Sequence, residues 1–93
     1  MPFMIRFDQG TVTVEQYHAI NQGLADAGQG NPVGREYHVG YIEDDGRLSV
    51  VDIWDSIENF ETFGETLIPV LEAVGADAGE PIILPVDNII LGQ

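Results

Sequence analysis

His38, Asp52, Trp54 and Arg6 are the residues whose types and spacing could do chemistry in this chain. Asp52 and Trp54 lie two apart in the run Val50-Val51-Asp52-Ile53-Trp54-Asp55-Ser56. That run reads as a strand entering a helix, so the two side chains share one strand face. A carboxylate beside a large aromatic pairs an ionisable group with a flat surface suited to an aromatic ligand. His38, in the preceding strand, alternates onto the same face. Imidazoles titrate in the neutral range and suit a base that takes a proton from a phenol. Arg6, central in the first strand, also falls on this face and could hold an anion or a carbonyl oxygen. The catalytic candidates are therefore His38 and Arg6, and the substrate-binding candidates Trp54 and Asp52. Each has a plainer alternative. His38 could be a hydrogen-bonded interface histidine and Trp54 the anchor of a subunit interface. Arg6 and Asp52 could form an ion pair, which is the better reading of those two, because breaking a buried pair costs about 3–5 kcal/mol.

The chain that must position them has 93 residues, enough for one domain spanning 1–93. A chain of this size buries roughly 60–65% of its unfolded surface, so association is a natural way to bury more. There is no cysteine, which removes disulfides, thiolate catalysis and thiolate-held metal sites. Two histidines without a carboxylate at ligand spacing give no support for a metal site, and no cofactor fingerprint or glycine-rich phosphate loop is present. Sixteen acidic residues face three arginines, for a net charge of −13. With no basic patch, binding to nucleic acid or to an anionic membrane is not expected. No apolar run approaches the roughly 20 residues that span a bilayer. Met1-Pro2-Phe3-Met4-Ile5-Arg6 does not read as a secretory leader, and the expected location is cytoplasmic.

Hydrophobic periodicity predicts six elements. Phe3 to Phe7 alternates as a strand with Phe3, Ile5 and Phe7 on one face. Thr13 and Gln16 form a capping box ahead of a helix carrying Val14, Tyr17, Ile20 and Leu24 at helical spacing, stopped at Gly28. Tyr17 reads as packing, and His18 as solvent-facing. Arg35 to Ile42 and Leu48 to Trp54 are strands joined by the Asp44-Asp45-Gly46 turn. Pairing about that turn sets His38 opposite Ile53 and Glu36 opposite Asp55. Asp55 or Ser56 caps a second helix through Ile57, Phe60, Phe63, Leu67 and Val74, with a kink or break expected before Pro69. Pro81 to Leu91 is a last extended segment, and Pro85 within it argues for an edge strand or a bulge.

The order β-α-β-β-α-β predicts an α+β, ferredoxin-like domain: a four-stranded antiparallel sheet with both helices on one face. Phe3, Ile5, Phe7, Tyr37, Val39, Tyr41, Val51 and Ile53 are expected under the helices. Met4, Ile42, Leu48, Val50 and Trp54 are then left on the open face, too much apolar surface to remain wet. Two sheets packed face to face in a symmetric homodimer would cover it.

Asp52, Trp54, Ser56, Glu58 and Phe60, with the weaker helix opening Thr13-Val14-Glu15-Gln16-Tyr17, resemble the dimeric α/β-barrel superfamily, and most of all its antibiotic-biosynthesis-monooxygenase-type members. The resemblance extends over nearly the whole chain by element order. It implies a dimeric α/β barrel with a cavity beside each sheet. Some relatives oxidise phenolic compounds with dioxygen and no cofactor; others degrade haem, isomerise lactones or have no known reaction. Many quinol-type and haem-degrading relatives carry a histidine nine residues after the tryptophan, where this chain has Phe63. Aspartate at Asp52 replaces a commoner glutamate. The implied function is a cofactor-independent monooxygenase of a small aromatic compound, with Trp54 stacking the ring, His38 taking the proton and Arg6 holding the oxyanion. The alternatives are a non-catalytic dimeric binding or structural protein, whose interior would be filled by side chains if purely structural, and a lactone isomerase.

Overall fold

The computed structural model describes residues 1–92. Its elements run β1 (Phe3–Asp8), α1 (Val14–Asp26), β2 (Arg35–Ile42), β3 (Leu48–Trp54), α2 (Ile57–Val74) and β4 (Glu80–Pro85). The strands form one antiparallel sheet in the order β2-β3-β1-β4. This is the ferredoxin-like α+β arrangement that the element order predicts. Among the described residues, no helix is long and apolar enough to cross a membrane.

Local chemistry accounts for the element ends. Thr13 Oγ1 accepts from the Gln16 amide at 3.1 Å while the Gln16 side chain accepts from the Thr13 amide at 3.0 Å, so two otherwise orphaned donors of the first turn of α1 are satisfied. Ser56 Oγ accepts from the Asn59 amide and caps α2, which Gly75 ends in the left-handed conformation.

Two expectations about elements are corrected. Helix α2 continues through Pro69, so the break, one of the two outcomes expected there, does not occur. The carbonyl deprived of its partner belongs to Glu65, and both residues are exposed, so water can take the place of the missing N–H. Strand β4 ends at Pro85 and does not reach Leu91. Pro85 has no N–H for the ladder, and only the Val86 amide, donating to the Pro2 carbonyl at 3.0 Å, carries the pairing further. β4 is an edge strand, as Pro85 suggests.

The larger correction concerns the faces of β2 and β3. β1 pairs with β3 through Phe3–Trp54 and Ile5–Asp52. Ile5 is buried under the helices, and partners across a ladder share a face. Asp52 and Trp54 therefore lie beneath the helices, and His38, paired with Asp52, joins them. Tyr37, Val39 and Tyr41 stand instead on the open face and are exposed. Both faces of this sheet are apolar, so alternation alone cannot say which one is inside. The volume of Trp54 decides it: the indole is fully buried and packs on Phe60 and Phe63 of α2 at centroid distances of 5.7 and 5.3 Å. The β2–β3 register also lies one residue from the expected one, with His38 opposite Asp52 and not Ile53.

Candidate functional site

The helices pack on each other, Gly23 of α1 lying against Val70 of α2. They leave a cavity of about 180 Å³ between themselves and the sheet. Ile20 and Leu24 of α1, Phe63 and Leu67 of α2, and Phe7 and Val50 of the sheet give it apolar walls. His38, Asp52 and Tyr17 give it a polar one. An apolar cavity of ~150 Å³ is enough for a benzene ring, so this space suits one substituted ring. The filled interior expected of a purely structural protein is not found.

The polar wall is a continuous chain of hydrogen bonds. Asp52, 4% exposed, accepts from the Trp54 indole N–H at 3.3 Å through Oδ2. Its Oδ1 lies 2.5 Å from His38 Nδ1. His38 Nε2 lies 2.6 Å from the Tyr17 hydroxyl. A carboxylate on Nδ1 fixes the tautomer with the proton there, so Nε2 presents its lone pair and accepts from Tyr17. A proton arriving on Nε2 would turn the Asp52–His38 contact into a buried ion pair. The arrangement can thus take a proton at the Tyr17 oxygen and stabilise the resulting imidazolium.

Neighbouring residues make this geometry possible. A Cβ at Gly40 would sit 2.7 Å from the Tyr17 ring, so the bare backbone of β2 is what lets the phenol lie over the sheet beside His38. The Tyr17 and His38 rings are nearly parallel, 15° apart.

The sequence-derived candidates separate. His38 and Asp52 come together in the cavity. Trp54 does not border it: the indole lies behind Phe63 and holds Asp52 through its N–H. Phe63 gives the cavity an aromatic wall. Arg6 borders the cavity, but it is paired with Val51 on the face opposite Asp52, and its guanidinium reaches Asp8 at 3.8 Å. The expected Arg6–Asp52 ion pair is therefore absent, and the charge of Asp52 is met by His38 and Trp54. Tyr17, whose helical spacing suggests packing, is the cavity end of the hydrogen-bond chain. Its signal in the sequence is its place on the apolar stripe of α1 opposite a glycine-bearing strand, a pairing that only the tertiary register makes visible.

At the hairpin end of the cavity, Arg47 Nε donates to Asp45 Oδ2 at 2.7 Å. The backbone amide of Arg47, and then its guanidinium, hold the Asp45 carboxyl below the ordinary carboxylate range, and the same contact raises Arg47. Among the described residues, no three His, Asp or Glu side chains cluster as metal ligands.

No family model matches the chain. No curated protein matches it either. Among solved structures it is similar to a protein from Deinococcus radiodurans that is provisionally described as an antibiotic biosynthesis monooxygenase, with a TM-score of 0.61 and 14% identity, over 100% of this chain and 99% of that one. At that identity the likeness carries the fold alone, the ferredoxin-like sheet with its two helices.

Proposed function

We propose that this protein is a cofactor-independent monooxygenase of small phenolic compounds. The observation that supports it above all is the unbroken chain Asp52–His38–Tyr17 inside a ring-sized cavity. The substrate hydroxyl donates to the Tyr17 oxygen, Tyr17 donates to His38 Nε2, and the imidazolium is held by Asp52. The phenolate passes one electron to dioxygen, and the aryloxyl radical and superoxide combine at a ring carbon that bears hydrogen. The imidazolium returns its proton to the peroxide, which loses water to leave a carbonyl. One dioxygen is consumed and one water released per quinone formed.

The test is oxygen uptake with a panel of hydroquinones and anthrones. One dioxygen consumed per carbonyl formed supports the reading, and no uptake above the uncatalysed rate across the panel sinks it. Tyr17 already occupies the Nε2 lone pair, and this favours a second reading: a binding protein without turnover, which predicts saturable ligand binding and no oxygen consumption.

A second copy of the chain covers the open sheet face in this account. Tyr37, Val39, Tyr41 and Leu84 leave apolar surface on that face, more than a lone monomer leaves wet, and a twofold dimer is the common way to bury it.

A further inference from the structure

We infer that Arg35 is the anion-recognition residue of the cavity, and that the ligand is a one-ring hydroxyaromatic acid whose carboxylate lies away from its hydroxyl. This rests on the reading of the cavity as a phenol site and narrows it to a substrate class.

Arg35 has an odd number in a strand whose other odd residues, Tyr37, Val39 and Tyr41, stand on the open face. A bulge lies between Arg35 and Tyr37, so that Arg35 pairs with Trp54 while Tyr37 pairs with Ile53. One extra residue reverses the alternation, and Arg35 is turned to the helix side. There its guanidinium lies 5.7 Å from the centroid of the Phe63 ring, and the residue borders the cavity. One of its N–H groups donates to the Gly30 carbonyl at 3.2 Å. The rest of its five donors make no other hydrogen bond among the described residues.

The charge pattern points the same way. The three arginines are the only lysine or arginine side chains in a chain of net charge −13, and all three border this cavity. Arg6 is matched by Asp8 and Arg47 by Asp45. Arg35 has no carboxylate within ion-pair reach among the described residues. A half-buried guanidinium on an aromatic wall, without a protein anion, is suited to hold a carboxylate with two parallel hydrogen bonds.

Position sets the ligand's orientation. Arg35 and His38 pair with Trp54 and Asp52, two residues apart on β3, about 7 Å by strand rise, the scale of one ring contacted at both ends. Of the other two arginines that border the cavity, Arg6 is paired with Asp8 and Arg47 with Asp45, so neither offers the acid group an unpaired cation. The acid group therefore goes to Arg35 and the hydroxyl to Tyr17 and His38.

The test is calorimetric titration of 4-hydroxybenzoate and of its uncharged counterpart 4-hydroxybenzyl alcohol. The protein should bind the acid at least about 10-fold more tightly, the size of one charge-assisted pair. Arg35→Gln should erase that preference, bringing the affinities for acid and alcohol within about 2-fold of each other. Equal affinities in the unmodified protein overturn the inference, and that comparison stands even if the variant fails to fold. An equal loss for both ligands in Arg35→Gln, or no saturation by either ligand, overturns it too. Because binding is read and not turnover, tight binding of the acid without oxygen uptake removes only the monooxygenase. Oxygen uptake that prefers neutral phenols removes only the role of Arg35.

Discussion

At the scale of single residues, the site turns on what each group must do about burial. Asp52 is almost wholly withdrawn from water, and a buried carboxylate without partners is costly. His38 and Trp54 meet that cost, and in doing so they fix the imidazole so that Nε2 faces Tyr17. Tyr17→Phe is the cleanest probe of the chain's cavity end. It keeps the ring packed over Gly40 and removes only the oxygen. Turnover should fall by about 10²-fold or more, the ordinary size of a lost acid–base contact, while thermal stability changes by no more than about 1 kcal/mol. Steady-state oxygen uptake and a melting curve measure both. Unchanged turnover would leave Tyr17 as packing, the role its helical spacing alone suggests.

At the scale of elements, two positions show how local rules and the site depend on each other. Gly40 of β2 is the floor on which Tyr17 of α1 rests. Gly40→Ala places a methyl group 2.7 Å from that ring, so the ring must move and the 2.6 Å bond to His38 opens. Oxygen uptake should drop toward the Tyr17→Phe level, and retention of full activity would show that the phenol need not lie there. Pro69 breaks the helix rule in an exposed turn of α2. Pro69→Ala restores the N–H for the Glu65 carbonyl and should stabilise the protein by about 1–3 kcal/mol, a rise in Tm of at least about 4 °C for a domain of this size. An unchanged Tm would mean that the helix has already absorbed the proline. These elements were legible in the sequence because each rests on local chemistry: the Thr13–Gln16 capping box, the Asp45–Gly46 turn, the cap at Asp55 or Ser56. The faces of β2 and β3 were not legible. Val51 and Ile53 are as apolar as a core requires, and only the pairing of Ile5 with Asp52 shows which side is covered. Arg35 was hidden for a related reason, since a bulge reverses alternation without a mark in composition. Asp52 and His38 were recognisable as sharing a strand face, but the link of His38 to Tyr17 joins residues 21 apart and belongs to the tertiary fold.

At the scale of the whole molecule, a small domain with apolar residues on both sheet faces has one covered by its own helices and the other still exposed. Val39 is 52% exposed at the middle of that second face. If a second copy packs there, Val39→Glu puts a charge into each half of the interface and should convert a dimer of the unmodified protein into a monomer, read by light scattering after size exclusion. A monomeric unmodified protein would refute the dimer. All three arginines border the cavity, together with the three carboxylates of Asp8, Glu43 and Asp52. The central claim, that His38 takes a proton from a bound phenol as the first step of oxidation, is tested most directly by oxygen uptake with a hydroquinone in the unmodified protein and in His38→Gln. Glutamine can still donate a hydrogen bond to Asp52, so burial of the carboxylate remains compensated, but it cannot accept the proton. Uptake should fall by about 10²–10⁴-fold in a variant that stays folded by circular dichroism, and uptake that is absent in the unmodified protein, or undiminished in folded His38→Gln, would contradict the claim.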